Sequence, residues 1–407
     1  MKQTETPVSG SIRPGFEAVR DAFVENFERR SELGAACCVY HRGEKVVDLW
    51  GGIRNKATGE PWQEDTMCII ASATKGPAAL TMALAESRGL FDYDERVSKY
   101  WPEFAQQGKD KVTIRQLMAH QAGLYALDER VDVKTELDLD KLAVMLARQR
   151  PAWEPGTRQA YHAITLGFYE SELLRRVDPE HRSLGRFFHE EIAVPLGLDF
   201  YIGLPEDIPN GRLAKTHMAI PKGAALKAPR GLILDVANPR SRIRRALWGD
   251  LPEDKDHVYT RNVEVPSGGG IGTARAIAKA YGVFATGGKE LGLREETLEQ
   301  LMAPAIPPTH GFHDEVMKID GMRMSLGFMK PNPGALFAHP SGFGMLGFGG
   351  CIGFADPETQ IGFAYVPNLT DFYLMDPRQS ALRVATYRSI GEKDPVLLND
   401  EGGGYLG

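Results

Sequence analysis

The position of the strand-like segments constrains this chain most, because they lie near its two ends and helical segments fill the interval between them. Near the start, "AACCVYHRGEKVVDLWGG" (residues 35–52) predicts two strands around a turn at Arg42–Gly43. Near the end, "GCIGFADPETQIGFAYVPN" (residues 350–368) predicts a second hairpin around residues 356–358. Two hairpins so far apart indicate one antiparallel sheet that a helical insertion interrupts.

Helical periodicity dominates the middle of the chain. Apolar residues recur at helical spacing in "KGPAALTMALAESRGL" (75–90), "DLDKLAVMLARQR" (138–150) and "AITLGFYESELLRRV" (163–177). Helices are also predicted outside the strands, at residues 15–30 and 376–391. The fold class is therefore α/β (α+β): an antiparallel sheet flanked by helices, with an inserted helical domain.

This order of elements predicts two domains. Residues 1–75 and 263–407 form the mixed α/β sheet domain, residues 76–262 form the mainly helical inserted domain, and the functional site lies at their junction. Residues 204–262 are irregular and contain the basic run "NPRSRIRRALWGD" (238–250). We interpret that run as a solvated face or a lid loop rather than an anion site.

Composition excludes several classes of partner. The 407 residues are 43% hydrophobic and 25% charged with a net charge of -6, so there is no basic field for nucleic acid or an anionic membrane. No apolar run approaches the roughly 20 residues that span a bilayer, and the N-terminus lacks the apolar core of a secretory signal. The four cysteines are too few for a disulfide framework. We expect a cytoplasmic protein; its oligomeric state is not indicated.

Glycines near the end of the chain have the spacing of a dinucleotide-binding loop. Gly342, Gly344 and Gly347 match G-x-G-x-x-G, but a hairpin follows them where that motif requires a helix within a βαβ unit. The match is therefore interpreted as coincidental. The metalloprotease motif H-E-x-x-H is also missing, since "HEEIA" at His189 lacks the second histidine. Neither a metal nor an organic cofactor is expected.

One tetrad has the residue types of a nucleophilic site. Ser72-Ala73-Thr74-Lys75 lies between the strand-like "MCII" and a predicted helix, so that Ser72 and Lys75 share one face of the first turn. A neighbouring base must remove the proton of a serine hydroxyl before it attacks, and a lysine of lowered pKa can do so. Pro77 predicts an irregular or 3₁₀ first turn.

Further segments in order along the chain strengthen this interpretation. "ASATKG", "TIRQLMAHQAGL", "EPGTRQAYHAITLGF", "PSGGGIGTARAIAKAYGVFATGG" and "GFADPETQIGFAYVPN" resemble successive segments of the serine β-lactamase and penicillin-binding-protein superfamily. The chain is most similar to its class C-like esterase branch, the family VIII carboxylesterases, over roughly residues 15 to 390. The resemblance implies a β-lactamase-like fold.

The resemblance also implies catalytic roles. Ser72 would be the acylated nucleophile, Lys75 its proton partner, and Tyr161 the general base or proton shuttle. A tyrosine needs the adjacent ammonium to act as a phenolate near neutrality. The second element departs from the family, since it reads Tyr161-His162-Ala163 without the asparagine typical of β-lactamases. That departure disfavours amide substrates.

The third element of the family, normally Lys/His-Thr/Ser-Gly, is matched to His339-Pro340-Ser341-Gly342. His339, Ser341 and Gly342 are therefore predicted to bind substrate, with an oxyanion donor soon after Gly342. The register relative to Gly349–Gly350 stays open. A histidine in place of lysine favours an uncharged ester over a carboxylate-bearing β-lactam.

These observations predict a serine carboxylesterase that cleaves short-acyl, small-molecule esters through an acyl-enzyme. Hydrolysis of β-lactams or D-amino-acid peptides, or acyl transfer by the same site, is the alternative; a non-catalytic scaffold of this fold is a remote one. His120 and His162 are expected to be a structural group and a neighbour of the site. Residues 204–262 and 339–350 are expected to govern the choice of substrate.

Overall fold

A computed structural model describes residues 8–129, 131–218, 235, 238, 240–247, 261–370 and 375–392. Its strands are β1 (Val8–Ile12), β2 (Gly34–His41), β3 (Glu44–Asn55), β4 (Glu60–Pro61), β5 (Cys68–Ile69), β6 (Phe200–Ile202), β7 (His217–Met218), β8 (Gly270–Gly272), β9 (His313–Asp314), β10 (Ile319–Asp320), β11 (Met324–Ser325), β12 (Phe328–Met329), β13 (Phe343–Leu346), β14 (Ile352–Asp356), β15 (Ile361–Pro367) and β16 (Leu369–Thr370).

The α-helices are α1 (Glu17–Arg29), α2 (Lys75–Ser87), α3 (Val97–Tyr100), α4 (Ile114–Met118), α5 (Val133–Leu137), α6 (Leu139–Arg148), α7 (Thr165–Val177), α8 (Leu184–Phe188), α9 (Val194–Leu196), α10 (Arg242–Leu247), α11 (Ala274–Ala285), α12 (Glu295–Met302) and α13 (Pro377–Ser389). Short 3₁₀ turns occupy Ala71–Thr74, Pro102–Gly108, Asn210–Arg212 and Lys289–Leu291, and a π turn occupies His189–Ala193.

The central sheet is antiparallel and joins both ends of the chain. Its order is β1-β3-β2-β15-β14-β13-β12-β11, with β4 added to β3. Both predicted hairpins are confirmed, and β2 pairs directly with β15, so that Cys38 lies opposite Ala364. The antiparallel sheet predicted from the two distant hairpins is thus present.

Alternation along β2 and β15 divides the core between the two faces of this sheet. Cys37 and Val39 belong to the apolar cluster that includes Phe23 of α1 and Leu382 of α13. Cys38, between them, belongs to the cluster that includes α11 and the middle helices. Successive side chains of a strand point to opposite faces, which explains this division. Full burial of a valine, leucine or phenylalanine side chain contributes about 1.5–3 kcal/mol to folding.

Helix α2 runs through the interior of the molecule. All of its residues are buried, and it packs against α7, α8, α12 and the strands β12 and β13. A helix that is surrounded on all sides must be apolar all round, which accounts for the run of alanine, leucine and methionine in "PAALTMALA". Its first residue, Lys75, is therefore held in the interior.

A second, three-stranded sheet of order β5-β8-β6 leads the chain into α2. Residues 204–218 and 240–247 of the irregular region are described, whereas most of 219–260 lies outside the described residues. The domain boundaries at 75/76 and 262/263 stay a prediction. No helix within the described ranges combines the length and the apolar character that crossing a bilayer demands.

Candidate active site

Ser72 lies on a strained 3₁₀ turn between β5 and α2. The preceding residue, Ala71, has φ +46, a left-handed conformation that costs a residue with a side chain on the order of 1–3 kcal/mol. Thr74 stabilises the turn, since its hydroxyl donates to the Ala71 carbonyl at 2.6 Å and accepts from the Gly270 N–H at 2.9 Å. The predicted 3₁₀ start is confirmed. Pro77 falls in the first turn of α2, where an N–H has no intrahelical partner.

Lys75 is completely buried beneath this turn. Its ammonium nitrogen donates to the carbonyl of Ala163 at 2.6 Å and to that of Ser267 at 2.8 Å. Burial lowers the pKa of Lys75 to about 7, although the Glu170 carboxylate opposes the shift. A large fraction of the amine is therefore unprotonated at neutral pH and can accept a proton.

Tyr161 connects Ser72 with Lys75. Its hydroxyl shares a hydrogen bond with the Ser72 side chain, and Lys75 Nζ lies 4.8 Å from the centroid of its ring. Burial raises the pKa of the phenol, and the hydrogen bond with Ser72 only partly opposes that effect. The structure thus brings together the three residues that the sequence singled out, with a tyrosine that keeps its proton at neutral pH.

Two buried histidines support the segment that carries Tyr161. The backbone N–H of His162 donates to His120 Nδ1 at 2.8 Å, and the N–H of Leu124 donates to His162 Nε2 at 2.9 Å. Burial lowers the pKa of His162 to about 3 and that of His120 well below its ordinary value, so both rings are neutral. The His162 side chain is thus committed to the loop of Leu124, and Ala163, the residue after it, stands where the family has asparagine.

The structure places His339, Ser341 and Gly342 at the far end of β13 from the Ser72 turn. His339 Nδ1 contacts Asp356 Oδ2 at 2.8 Å, and the Ser341 hydroxyl donates to Glu358 at 3.0 Å. Both carboxylates belong to the end and turn of the β14–β15 hairpin. β13 has four residues and spans roughly 13 Å, so these three residues are not brought to Ser72. Their predicted match to the third element is corrected for this reason.

Gly347, the residue directly after β13, lies against the turn that carries Ser72. A Cβ at Gly347 would lie 2.3 Å from the Ile70 carbonyl oxygen and 3.0 Å from the Ala73 backbone nitrogen. The end of β13 therefore approaches the turn backbone to backbone, which only glycine permits. The sequence contained a signal for this register, the following Gly349–Gly350 pair, but left it unresolved.

Known proteins resemble this chain in both sequence and fold. A family model described as Beta-lactamase matches residues 19–386. The chain belongs to the beta-lactamase family.

Individual relatives of this family span nearly the whole chain. "Esterase/beta-lactamase LipL" of Mycobacterium tuberculosis (strain ATCC 25618 / H37Rv) is 34% identical over 372 residues, 89% of this chain and 83% of that protein. The crystal structure of a family VIII carboxylesterase has 37% identity and a TM-score of 0.80, and covers 94% of this chain and 100% of its own. EstA from Arthrobacter nitroguajacolicus Rue61a has 30% identity, a TM-score of 0.79 and coverages of 94% and 98%. The predicted β-lactamase-like fold is confirmed.

Sequence reasoning missed some neighbours of this beta-lactamase-family site. A Cβ at Gly76 would lie 1.8 Å from the Tyr281 hydroxyl of α11, so glycine is required directly after Lys75. Ser267 accepts from Lys75 through its carbonyl and from the Gly167 N–H through its hydroxyl, at 2.7 Å. The only hint was the family-like segment "PSGGG" that contains Ser267.

The described part of the basic run forms helix α10, and two of its arginines pair with carboxylates. Arg242 forms an ion pair with Glu315 at 2.5 Å and lies 5.5 Å from the ring centroid of Trp153, while Arg245 pairs with Asp128 at 2.6 Å. The apolar face of α10 joins the cluster that contains Tyr161. In the described ranges, no group of three or more Asp, Glu, His or Cys side chains has the arrangement of a metal site.

Proposed function

We propose that this beta-lactamase-family hydrolase is a serine carboxylesterase that cleaves short-acyl esters through an acyl-enzyme on Ser72. The observation that carries the proposal is the contact of Ser72 with Tyr161 above the buried Lys75, whose pKa is lowered to about 7. The names of the relatives support it, because LipL is described as an esterase/beta-lactamase and the solved structure as a carboxylesterase.

Acylation proceeds by proton transfer along the three side chains. Ser72 Oγ attacks the ester carbonyl carbon as its proton passes to the Tyr161 oxygen, and the Tyr161 proton passes to Lys75 Nζ. The C–O bond to the alcohol then breaks as the proton returns through Tyr161 to the leaving oxygen. In deacylation, a water molecule gives its proton to Tyr161, which passes its own to Lys75, and attacks the acyl carbonyl carbon. The bond to Ser72 Oγ then breaks, the proton returns to Ser72, and the carboxylic acid leaves. Tyr161 never needs to exist as a free phenolate, which its raised pKa disfavours.

Backbone N–H groups stabilise the oxyanion of each tetrahedral intermediate. One comes from Ser72 on the 3₁₀ turn that precedes α2, and the other from the turn that begins at Gly347. The Gly347 N–H itself donates to the Cys351 carbonyl at 2.7 Å, so the donor lies further along that turn. Removing one such donor typically costs about 10²–10³-fold in kcat.

The end of strand β13 beside the Ser72 turn favours an uncharged substrate. Among the described residues, β13 ends there in Met345 and Leu346, Gly347 follows directly, and this end of the strand provides no lysine. A carboxylate-bearing substrate would lose its solvation without gaining a partner from this strand. A neutral ester loses much less solvation free energy when it enters the site.

Substitution of the nucleophile tests the proposal. We expect Ser72→Ala to reduce kcat against a short p-nitrophenyl ester by at least about 10³-fold, because the variant loses the hydroxyl that is bonded to Tyr161. The matched control is Ser98→Ala, which changes an exposed serine of α3. Unchanged turnover in the Ser72 variant would disprove the assignment.

Hydrolysis of β-lactams is the second candidate, and the name of LipL favours it. A comparison of kcat/KM for nitrocefin and for p-nitrophenyl esters decides between the two, and the ester is expected to be preferred. A non-catalytic scaffold would leave Ser72 unlabelled by a fluorophosphonate. The cytoplasmic location and the exclusion of nucleic-acid and membrane partners stay predictions from the sequence.

A further inference from the structure

Glu170 is a buried carboxylic acid that the proposed reaction does not use. It lies on α7 with 0% of its surface exposed. Neither carboxylate oxygen has a hydrogen-bond partner among the described residues. A buried charged group without partners is costly, so its presence requires an electrostatic explanation.

The carboxylate of Glu170 faces the helix that begins with Lys75. A Cβ built on Gly327 would lie 2.7 Å from Ala79 Cβ and 3.1 Å from Glu170 Oε1, so the alanine and the carboxylate flank the same point. Ala79 is four residues after Lys75 and shares its face of α2. Gly327 has φ +85, and its lack of a side chain leaves room for the carboxylate beside α2.

The charges around the pair are few. Glu170 interacts electrostatically with Lys75 and with the buried Tyr93 hydroxyl, which also has no hydrogen-bond partner in the described part of the chain. Lys75 is in turn close to Tyr161 and to His120 and His162. Both histidines are neutral, so Glu170 is the carboxylate that opposes the burial of the Lys75 ammonium.

We propose that Glu170 is a positioning residue of the Ser72 site, which shares one proton with Lys75 and stabilises the ammonium that forms when Lys75 accepts the proton released by Ser72. This inference rests on the proposed function of Ser72. Burial raises the pKa of Glu170 to about 8, with Lys75 opposing the shift, and burial lowers that of Lys75 to about 7. The two groups therefore titrate near neutrality as a coupled pair.

Glu170→Gln removes the charge and keeps the size of the side chain. Burial then acts on Lys75 without an opposing carboxylate, so the pKa of Lys75 falls by about one unit or more. The acid limb of the kcat/KM profile moves to lower pH by the same amount. Because the amine becomes a weaker base, the plateau rate also falls. Glu170→Asp keeps the charge and restores most of the profile.

Direct titration of Lys75 tests the pair without relying on turnover. The ¹³Cε signal of Lys75, assigned with Lys75→Arg, is followed against pH in the wild type, Glu170→Gln and Glu86→Gln. Glu86 is a matched control, since it is also buried on α2 but is bonded to Thr297 at 2.6 Å. A lower midpoint in Glu170→Gln alone supports the proposal; equal midpoints in all three proteins overturn it.

A reciprocal measurement covers the case in which Glu170→Gln does not fold. In Lys75→Met, the Glu170 carboxyl loses its cation, so its pKa rises further above its value in the wild type, followed by the ¹³Cδ signal. An unchanged midpoint overturns the pairing. If fluorophosphonate fails to label Ser72 while these shifts are present, the proposed esterase function fails and the Lys75–Glu170 pair stands.

Discussion

Lys75 combines two properties that are rarely found in one side chain, because it is an amine and it is fully buried. Two backbone carbonyls accept its hydrogen bonds and hold the side chain in place. Because these carbonyls carry no net charge, the amine is not locked in its protonated form. The desolvation that makes this position costly is what brings its pKa to about 7. At the residue scale, this burial is thus the property on which the proposed role of Lys75 depends.

The pH dependence of the proposed esterase reaction follows from that pKa. Since acylation requires an unprotonated Lys75, kcat/KM for a short p-nitrophenyl ester is expected to rise tenfold per pH unit below about pH 7 and to level off above it. The measurement is a profile from pH 5 to 9 corrected for uncatalysed hydrolysis. A flat profile across pH 6 to 8 would contradict the role of Lys75.

At the scale of elements, the site depends on how closely β13 approaches the turn of Ser72. We expect Gly347→Ala to lower kcat/KM by about 10²-fold, because its Cβ would meet the Ile70 carbonyl and push the strand end away from Ser72. The measurement is kcat/KM with the same ester, beside the melting temperature.

Two variants serve as controls for the Gly347 prediction. Gly334→Ala meets only the Asn332 side chain at 3.5 Å and should leave activity unchanged. His339→Ala loses its contact with Asp356 and should reduce stability while leaving KM unchanged. If His339→Ala raised KM and Gly347→Ala did not, the original sequence assignment of the third element would be right.

At the scale of the whole molecule, a buried ion network connects distant parts of the chain. Arg378 at the start of α13 pairs with Asp376 at 2.6 Å and with Glu32 at 2.9 Å, and Tyr365 of β15 also bonds to Glu32. The same guanidinium donates to the Gly349 carbonyl at 3.3 Å. The network thus joins the segment after α1 and the helix α13 to the glycine turn beside Ser72.

Loss of the central arginine should be costly. Arg378→Met leaves the carboxylates of Glu32 and Asp376 buried without their partner, and we expect a loss of about 3–5 kcal/mol in the free energy of unfolding. Urea denaturation measures it. Arg29→Met is the control, since the exposed pair of Arg29 with Glu25 contributes less than about 0.5 kcal/mol. Similar losses in both variants would argue against the network.

Much of this architecture follows from local patterns. Apolar segments on either side of a turn signal predicted both hairpins, and the tetrad Ser72–Lys75 between a strand and a helix predicted Ser72 as the nucleophile. The spacing of apolar residues that distinguishes a strand from a helix involves residues close together in the chain. It can therefore be recognised in the sequence without knowledge of the fold. The five segments that resemble the β-lactamase superfamily in the same order predicted the role of Tyr161 and the family itself.

What the sequence determined by itself is therefore the identity of the elements and the presence of Ser72, Lys75 and Tyr161 within them. The tertiary structure decided which end of β13 meets Ser72, why glycine must follow Lys75, and that Glu170 is buried beside α2. Each of these depends on contacts between residues that are far apart in the chain, such as Gly347 with Ile70 and Gly76 with Tyr281. The physical reason is that burial and strand register arise only when distant segments pack together, and local spacing does not contain them.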